Sequence, residues 1–405
     1  MTIADNNSPV LNLGIIGLGG GASQMIPAFL KHPHINLMAA ADIDQEQLDR
    51  FRSELHGDTY SSAEALCQSN NVDVIYIATP NQFHIEHALM ALENKKHVLI
   101  EKPMTLTLDD ADEMIRAARR NEMQLTVNVK HSFEPRIRKI REMVLNGELG
   151  RLRMLNYWYF NDWLYSPRTK EELTPELGGG VPWRQGPHQI DILRTIAGGQ
   201  VRSVRAMTGV WDENRPVAGH YSSFLEFENG VVATAVYSGY DHFNSREFTY
   251  RVDEGDDWPD PPVHARARAA LRQAGSAEAE TAMKRERRFG GSGRTAQGAA
   301  PDQRRPTPWI LGGPLVVSFD KGDVRLTPDG LLVYGDESKQ EVSLTSGRDG
   351  RDGVIDQVYD AVVHGKRPAN DGEWGMATLE VVLALFQSGQ ERKEIYLSHQ
   401  IATID

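Results

Sequence analysis

Between residues 11 and 126 the chain alternates short apolar runs with helical stretches, and few folds accept that rhythm. The runs are LNLGIIGLG (11–19), INLMAAADI (35–43), VDVIYIATP (72–80), HVLIEKP (97–103) and QLTVNV (124–129). They are continuous rather than alternating, and rich in Val, Ile and Ala, as strands covered on both faces require. Stretches such as GASQMIPAFLKH and QFHIEHALMALENKK lie between them. Strands that alternate with helices predict a parallel sheet wound on both sides. The expectation for residues 1–130 is therefore an α/β, doubly wound Rossmann domain that binds a dinucleotide.

From about residue 151 the pattern changes. RLRMLNYWYFNDWLY, VRSVRAMTGVWD, HYSSFLEFENG, VVATAVYSGYD and REFTYRVDE read as strands separated by turns. Residues 131–405 are expected to form an α+β domain with a mostly antiparallel sheet, closed by two helices, DGVIDQVYDAVVHG and GEWGMATLEVVLALFQSGQERK. A Pro-, Gly- and Arg-rich insertion at about 255–308 interrupts it, with two short helical stretches inside. It reads as a surface loop, a lid or an oligomer-contact arm.

Composition narrows the function. The formal net charge is −12, which disfavours nucleic-acid or anionic-membrane partners and means that an anionic substrate needs local cations. A single cysteine, Cys67, excludes an intramolecular disulfide and a cysteine zinc cage, and no metal is expected. The first residues lack the pattern of a signal peptide, and no run reaches bilayer length. The expectation is a cytoplasmic protein.

GIIGLGGGA places Gly17, Gly19, Gly20 and Ala22 in a G-x-G-x-x-A turn between a strand and a helix. Backbone N–H groups there can receive a pyrophosphate. Asp42, ending the next strand, can accept bonds from the adenosine ribose, and no arginine follows it to receive a 2′-phosphate. NAD is therefore favoured over NADP. Thr79, Pro80 and Asn81 end the third run, on the nicotinamide side. His84 belongs either to the cofactor site or to the next helix. Glu101 and Asn128 join the cofactor group. Lys102, before a proline at a strand end, is the candidate proton carrier, because a desolvated amine loses basicity.

GIIGLGGGA, ATPNQFH, EKP, NGELGRL and GGG…GPHQID, in that order, resemble the glucose–fructose oxidoreductase/inositol dehydrogenase (Gfo/Idh/MocA) family. The resemblance implies a nicotinamide cofactor, a lysine matching Lys102 and a catalytic histidine matching His188. It also implies a large open sheet that joins copies into a homo-oligomer, a dimer or tetramer. Many sugar- and cyclitol-oxidising members carry aspartate where this chain has Arg184. A guanidinium cannot act as a base, but it grips carboxylates. Either Arg184 meets an anionic substrate, or it pairs with an acid such as Asp191 or Glu176. Trp163 and Arg168 are further substrate-binding candidates. Lys130, His131, Arg136, Arg138, Tyr165 and Lys170 could also border an anion site. Within the family the pattern most resembles phthalate 4,5-cis-dihydrodiol dehydrogenases. The expected reaction is oxidation of 4,5-dihydro-4,5-dihydroxyphthalate. The alternatives are a sugar, uronate or cyclitol dehydrogenase, or a non-catalytic NAD(H)-binding regulator.

Overall fold

Six parallel strands open the computed structural model, which describes residues 8–245, 248, 266–291, 294–295, 298–299, 313–327, 330–344 and 349–405. They are β1 (Leu11–Ile16), β2 (Ile35–Ala41), β3 (Asp58–Tyr60), β4 (Val74–Ile77), β5 (His97–Glu101) and β6 (Leu125–Asn128). Their order is β3-β2-β1-β4-β5-β6. The direction of winding reverses between β1 and β4, so a crevice opens beyond their C-terminal ends. Five strands coincide with the apolar runs. The sixth, β3, has three residues and is too short to show a periodicity. The connecting helices are α1 (Gly20–Lys31), α2 (Gln45–Leu55), α3 (Ala63–Cys67), α4 (His84–Glu93) and α5 (Leu108–Asn121).

After α6 (Pro135–Asn146) comes β7 (Leu152–Phe160), then α7 (Val181–Arg184) and α8 (Gly186–Ala197). Next are β8 (Val201–Gly209), β9 (His220–Phe227) and β10 (Val232–Ser238). Within the insertion lie α9 (Arg266–Ala274), α10 (Ala277–Arg285) and a small hairpin of β11 (Arg294–Thr295) with β12 (Gly298–Ala299). Then follow β13 (Leu315–Phe319), β14 (Gly322–Thr327), β15 (Gly330–Gly335) and β16 (Lys339–Ser343). The chain ends with α11 (Gly350–His364), α12 (Gly372–Glu391) and β17 (Ile395–Tyr396).

Nine strands make the second sheet, in the order β16-β15-β14-β13-β7-β10-β9-β8-β17. Neighbours run antiparallel except β7 and β10, which are parallel. One face buries Leu155, Tyr157, Tyr221, Leu225, Ala233 and Ala235 beneath α6, α8 and α12. The other face carries exposed Met154, Trp158 and Phe224.

The last two helices return to the first sheet. Residues of α11, including Val354, Ile355 and Val358, share a core with β1 and α1, and Trp374 and Leu379 of α12 join the core under α5. Val127 and Asn370 exchange bonds of 2.8 and 2.7 Å. Packing across the 130 boundary holds the crevice walls together. Most of the run REFTYRVDE, and much of 255–308, lie outside the described residues.

Candidate active site

Local backbone chemistry builds the cofactor end. Gly17 adopts φ +91°, and a Cβ there would lie 2.9 Å from Thr79 Cγ2 and 3.0 Å from the Ala78 carbonyl. Only glycine combines that conformation with that approach. Helix α1 is capped by Gly19 without any side-chain bond, no acid occupies its first turn, and the space beside Gly20 is open. Those N–H groups fit a pyrophosphate. Ala22 is fully buried against the sheet. Asp42 is oriented by the N–H groups of Leu18 (2.6 Å) and Asp44 (2.9 Å), which leaves further lone pairs for a ribose.

At the end of β5, Glu101 accepts from Tyr76 Oη (2.6 Å) and Asn128 Nδ2 (2.6 Å). Asn128 is buried and supports Glu101 through Nδ2, while its Oδ1 has no bonding partner. Lys102 points Nζ at the Arg184 carbonyl, 3.0 Å away. Burial lowers its pKa to about 8, with Glu101 opposing and Arg184 reinforcing the shift. An amine poised there can exchange a proton near neutral pH.

The opposite wall is the stretch 177–193. Gly180, at φ +95°, lets the chain pass the Ala218 carbonyl, which a Cβ would meet at 2.6 Å. The turn delivers α7 and then α8, which starts at Gly186-Pro187 and ends at Gly198 in the left-handed region. His188, in the first turn of α8, is driven well below its usual pKa by burial and by the charge of Lys102. Its Nδ1 has no bonding partner, and its ring meets His131 edge-on at 4.4 Å between centroids. A neutral imidazole beside a low-pKa amine can orient a hydroxyl and pass on its proton.

Arg184 ends α7 in the same wall. One amino group approaches Asn81 Oδ1 at 3.4 Å, while its Nε and Asn81 Nδ2 are buried without partners. No carboxylate bridges it among the described residues. Asp191 instead accepts from Trp374 Nε1 at 2.6 Å, deep in the core, and Glu176 is exposed. Burial lowers the guanidinium's pKa, with Glu172 and Glu171 opposing.

Two of the expected site residues are engaged by protein groups in this structure. His84 is fully buried, with Nδ1 3.0 Å from the Pro103 carbonyl and Nε2 2.9 Å from the Thr79 carbonyl. It ties two crevice loops together from behind, and burial lowers its pKa to about 4. Arg168 is buried as well. It lies 3.6 Å over the Trp163 ring, donates to the Trp163 carbonyl (2.7 and 3.0 Å) and pairs with Glu172 at 3.4 Å. Its bonds are spent on the loop, and it covers one face of Trp163. Thr79 bonds His87 at 3.1 Å, and Pro80 is exposed. Lys130 reaches Gln24 (2.9 Å), Arg136 the Thr327 carbonyl (3.2 Å) and Arg138 the Phe133 ring, while Lys170 is exposed. Tyr165 stacks under Arg268 at 4.1 Å. Glu172, Glu280 and Lys284 were not anticipated. The i,i+4 spacing of Arg168 and Glu172 was a readable signal; the partners from the insertion left none.

Residues 11–129 match the family described as "Oxidoreductase family, NAD-binding Rossmann fold", and residues 137–255 match the GFO/IDH/MocA C-terminal domain. The chain belongs to the GFO/IDH/MocA family. It is an oxidoreductase with an NAD-binding domain. It is 36% identical over 386 residues to a 1-carboxy-3-chloro-3,4-dihydroxycyclohexa-1,5-diene dehydrogenase of Comamonas testosteroni, covering 94% of this chain and 95% of that one. A crystal structure of a candidate dehydrogenase from Bordetella bronchiseptica RB50 superposes with a TM-score of 0.86 at 37% identity, over 96% of this chain and 100% of that one. An Agrobacterium radiobacter oxidoreductase, in complex with NAD+, L-tartaric acid and magnesium, shares the fold. Its TM-score is 0.68 at 17% identity, over 95% and 98% of the two chains. Among the described residues no helix is long and apolar enough to cross a membrane, and no group of His, Cys, Asp and Glu could hold a metal.

Proposed function

We propose that the protein is an NAD-dependent dehydrogenase of cyclic cis-dihydrodiols that carry a ring carboxylate. The observation that carries this reading is the Arg184 guanidinium, which no carboxylate bridges among the described residues, whose Nε is buried without a partner, and which lies near enough to Lys102 to lower its pKa. A half-buried guanidinium with no bridging carboxylate has bonding capacity to spare, and a carboxylate supplies two oxygens in matching geometry. The Comamonas relative is named for a substrate with one carboxylate and two ring hydroxyls. The diol of phthalate, 4,5-dihydro-4,5-dihydroxyphthalate, belongs to the same class. With Arg168 committed to Glu172, a single guanidinium serves one carboxylate.

Bound NAD supplies the hydride acceptor. Arg184 and Asn81 hold the carboxylate and so fix the ring. His188 orients the hydroxyl. Lys102, as the free amine, takes the hydroxyl proton as the C–H hydride departs. The product is a ketone that enolises to a catechol, and aromaticity makes the step favourable. Glu101, held by Tyr76 and Asn128, keeps a negative charge next to Lys102.

NADH formation from a panel tests this. The panel comprises the dihydrodiols of phthalate and benzoate, the unsubstituted benzene dihydrodiol, inositol, glucose and glucuronate. Turnover of the carboxylated diols is expected; activity confined to neutral polyols overturns the reading. Arg184→Ala is expected to raise KM for a carboxylated diol by one to two orders of magnitude, the loss of about 1.5–3 kcal/mol of charge-assisted bonding. An unchanged KM removes Arg184 from the substrate.

A further inference from the structure

The insertion is anchored at both ends of the crevice. On α10, Glu280 is buried and grips Arg215 Nη2 through both oxygens, at 2.8 and 2.9 Å. It also accepts the backbone N–H of Arg168 at 2.7 Å. Lys284, one turn on, donates to Glu172 at 3.0 Å. The chain then crosses to the parallel sheet. The Arg287 carbonyl accepts from Ser23 Oγ at 3.3 Å. Phe289 is buried and meets Phe51 of α2 edge-on at 6.3 Å. A Cβ on Gly290 would lie 2.5 Å from Arg50. Residues 280–290 therefore run from the loop holding Arg168 to the first turn of α1, where the glycine turn offers its N–H groups.

Arg168, Arg184 and Lys284 stand within electrostatic reach of Glu172, and Arg287 within reach of Arg168 and Lys284. Arg168 and Lys284 are bonded to Glu172. The Arg287 side chain is exposed and has no hydrogen bond or ion pair among the described residues. Its carbonyl lies 3.3 Å from Ser23 Oγ, which also faces the Gly20 carbonyl at 3.1 Å, so Arg287 is placed beside the first turn of α1. The residues Gly19 to Ser23 contribute backbone dipoles but no cation, and a net charge of −12 repels a pyrophosphate.

We infer that Arg287 is a ligand of the dinucleotide's pyrophosphate, brought to α1 by the insertion. A guanidinium meets phosphate oxygens in pairs and stays charged at every physiological pH. The inference rests on the glycine turn as the dinucleotide seat and is independent of the substrate class.

Calorimetric titration of the full chain with NADH, and separately with ADP-ribose, tests it. Arg287→Ala is expected to raise both dissociation constants about tenfold or more. The gap should narrow at about 0.5 M salt, as an exposed charge is screened. Arg287→Lys should recover part of the loss. Arg285→Ala, an exposed neighbour on α10, should leave both constants unchanged. Unchanged binding in Arg287→Ala overturns the assignment, as does an equal loss in Arg285→Ala, which would reveal a diffuse field. Neither constant depends on the substrate panel, so the two proposals fail separately.

Discussion

Lys102 is where pH acts first on this site. Its amine titrates at about 8 because burial penalises the charged form. With Lys102 as the proposed base, oxidation needs the neutral amine, whose fraction grows as pH rises through that value. The expected profile of kcat/KM is a climb below about pH 8 and a plateau above it. Lys102→Arg, permanently charged, should lose about two to four orders of magnitude in kcat at every pH. A wild-type profile that is flat from about pH 6.5 to 9 removes Lys102 as the base. Motif and strand position singled out Lys102, His188, Asp42 and the glycine turn in the sequence, and the fold places Lys102 just after β5 and His188 in the first turn of α8. The roles of Arg168 and His84 were not, because each depends on a remote partner. Glu172 and the Trp163 carbonyl claim the guanidinium, and two loop carbonyls claim the imidazole. The isolation of Arg184 was equally hidden, since it depends on Asp191 facing Trp374.

At the scale of elements, α10 behaves as part of the domain and not as loose surface chain. Arg215 and Glu280 are both nearly inaccessible, with side-chain exposures of 5% and 8%. Removing one partner strands the other charge in a dry setting, at a cost of about 3–5 kcal/mol. Glu280→Ala should therefore lower Tm by several degrees, and Arg215→Ala with Glu280→Ala should recover much of the loss. Thermal unfolding of the three variants is the measurement. A single variant that melts with wild type would mean that α10 does not hold the loop. The two short helices were visible from their own periodicity. Their docking was not, because a composition rich in Pro, Gly and Arg describes a segment and not the acids waiting for it.

Over the whole molecule, the outer face of the nine-stranded sheet carries several exposed large apolar side chains. Met154 and Trp158 on β7 and Phe224 on β9 are 40%, 42% and 46% exposed, and Val232 and Val236 of β10 stand beside the β7 pair in register. An apolar sheet face of this kind suits a second copy of the chain. We propose that the protein is a homo-oligomer through it. Light scattering after size exclusion should show a dimer or tetramer in wild type, and Trp158→Glu should shift it toward monomer. A monomeric wild type at micromolar concentration sinks the idea. The rhythm of apolar runs, the glycine turn and the strand-end motifs determined the architecture and the dinucleotide seat by themselves, because local periodicity and φ preferences act within a few residues. Which charges are neutralised was decided only by the tertiary structure. Arg168 met Glu172, Glu280 met Arg215 65 residues away, and no acid among the described residues bridges Arg184, since which charges lie close in space is set by the fold and not by the order of the chain.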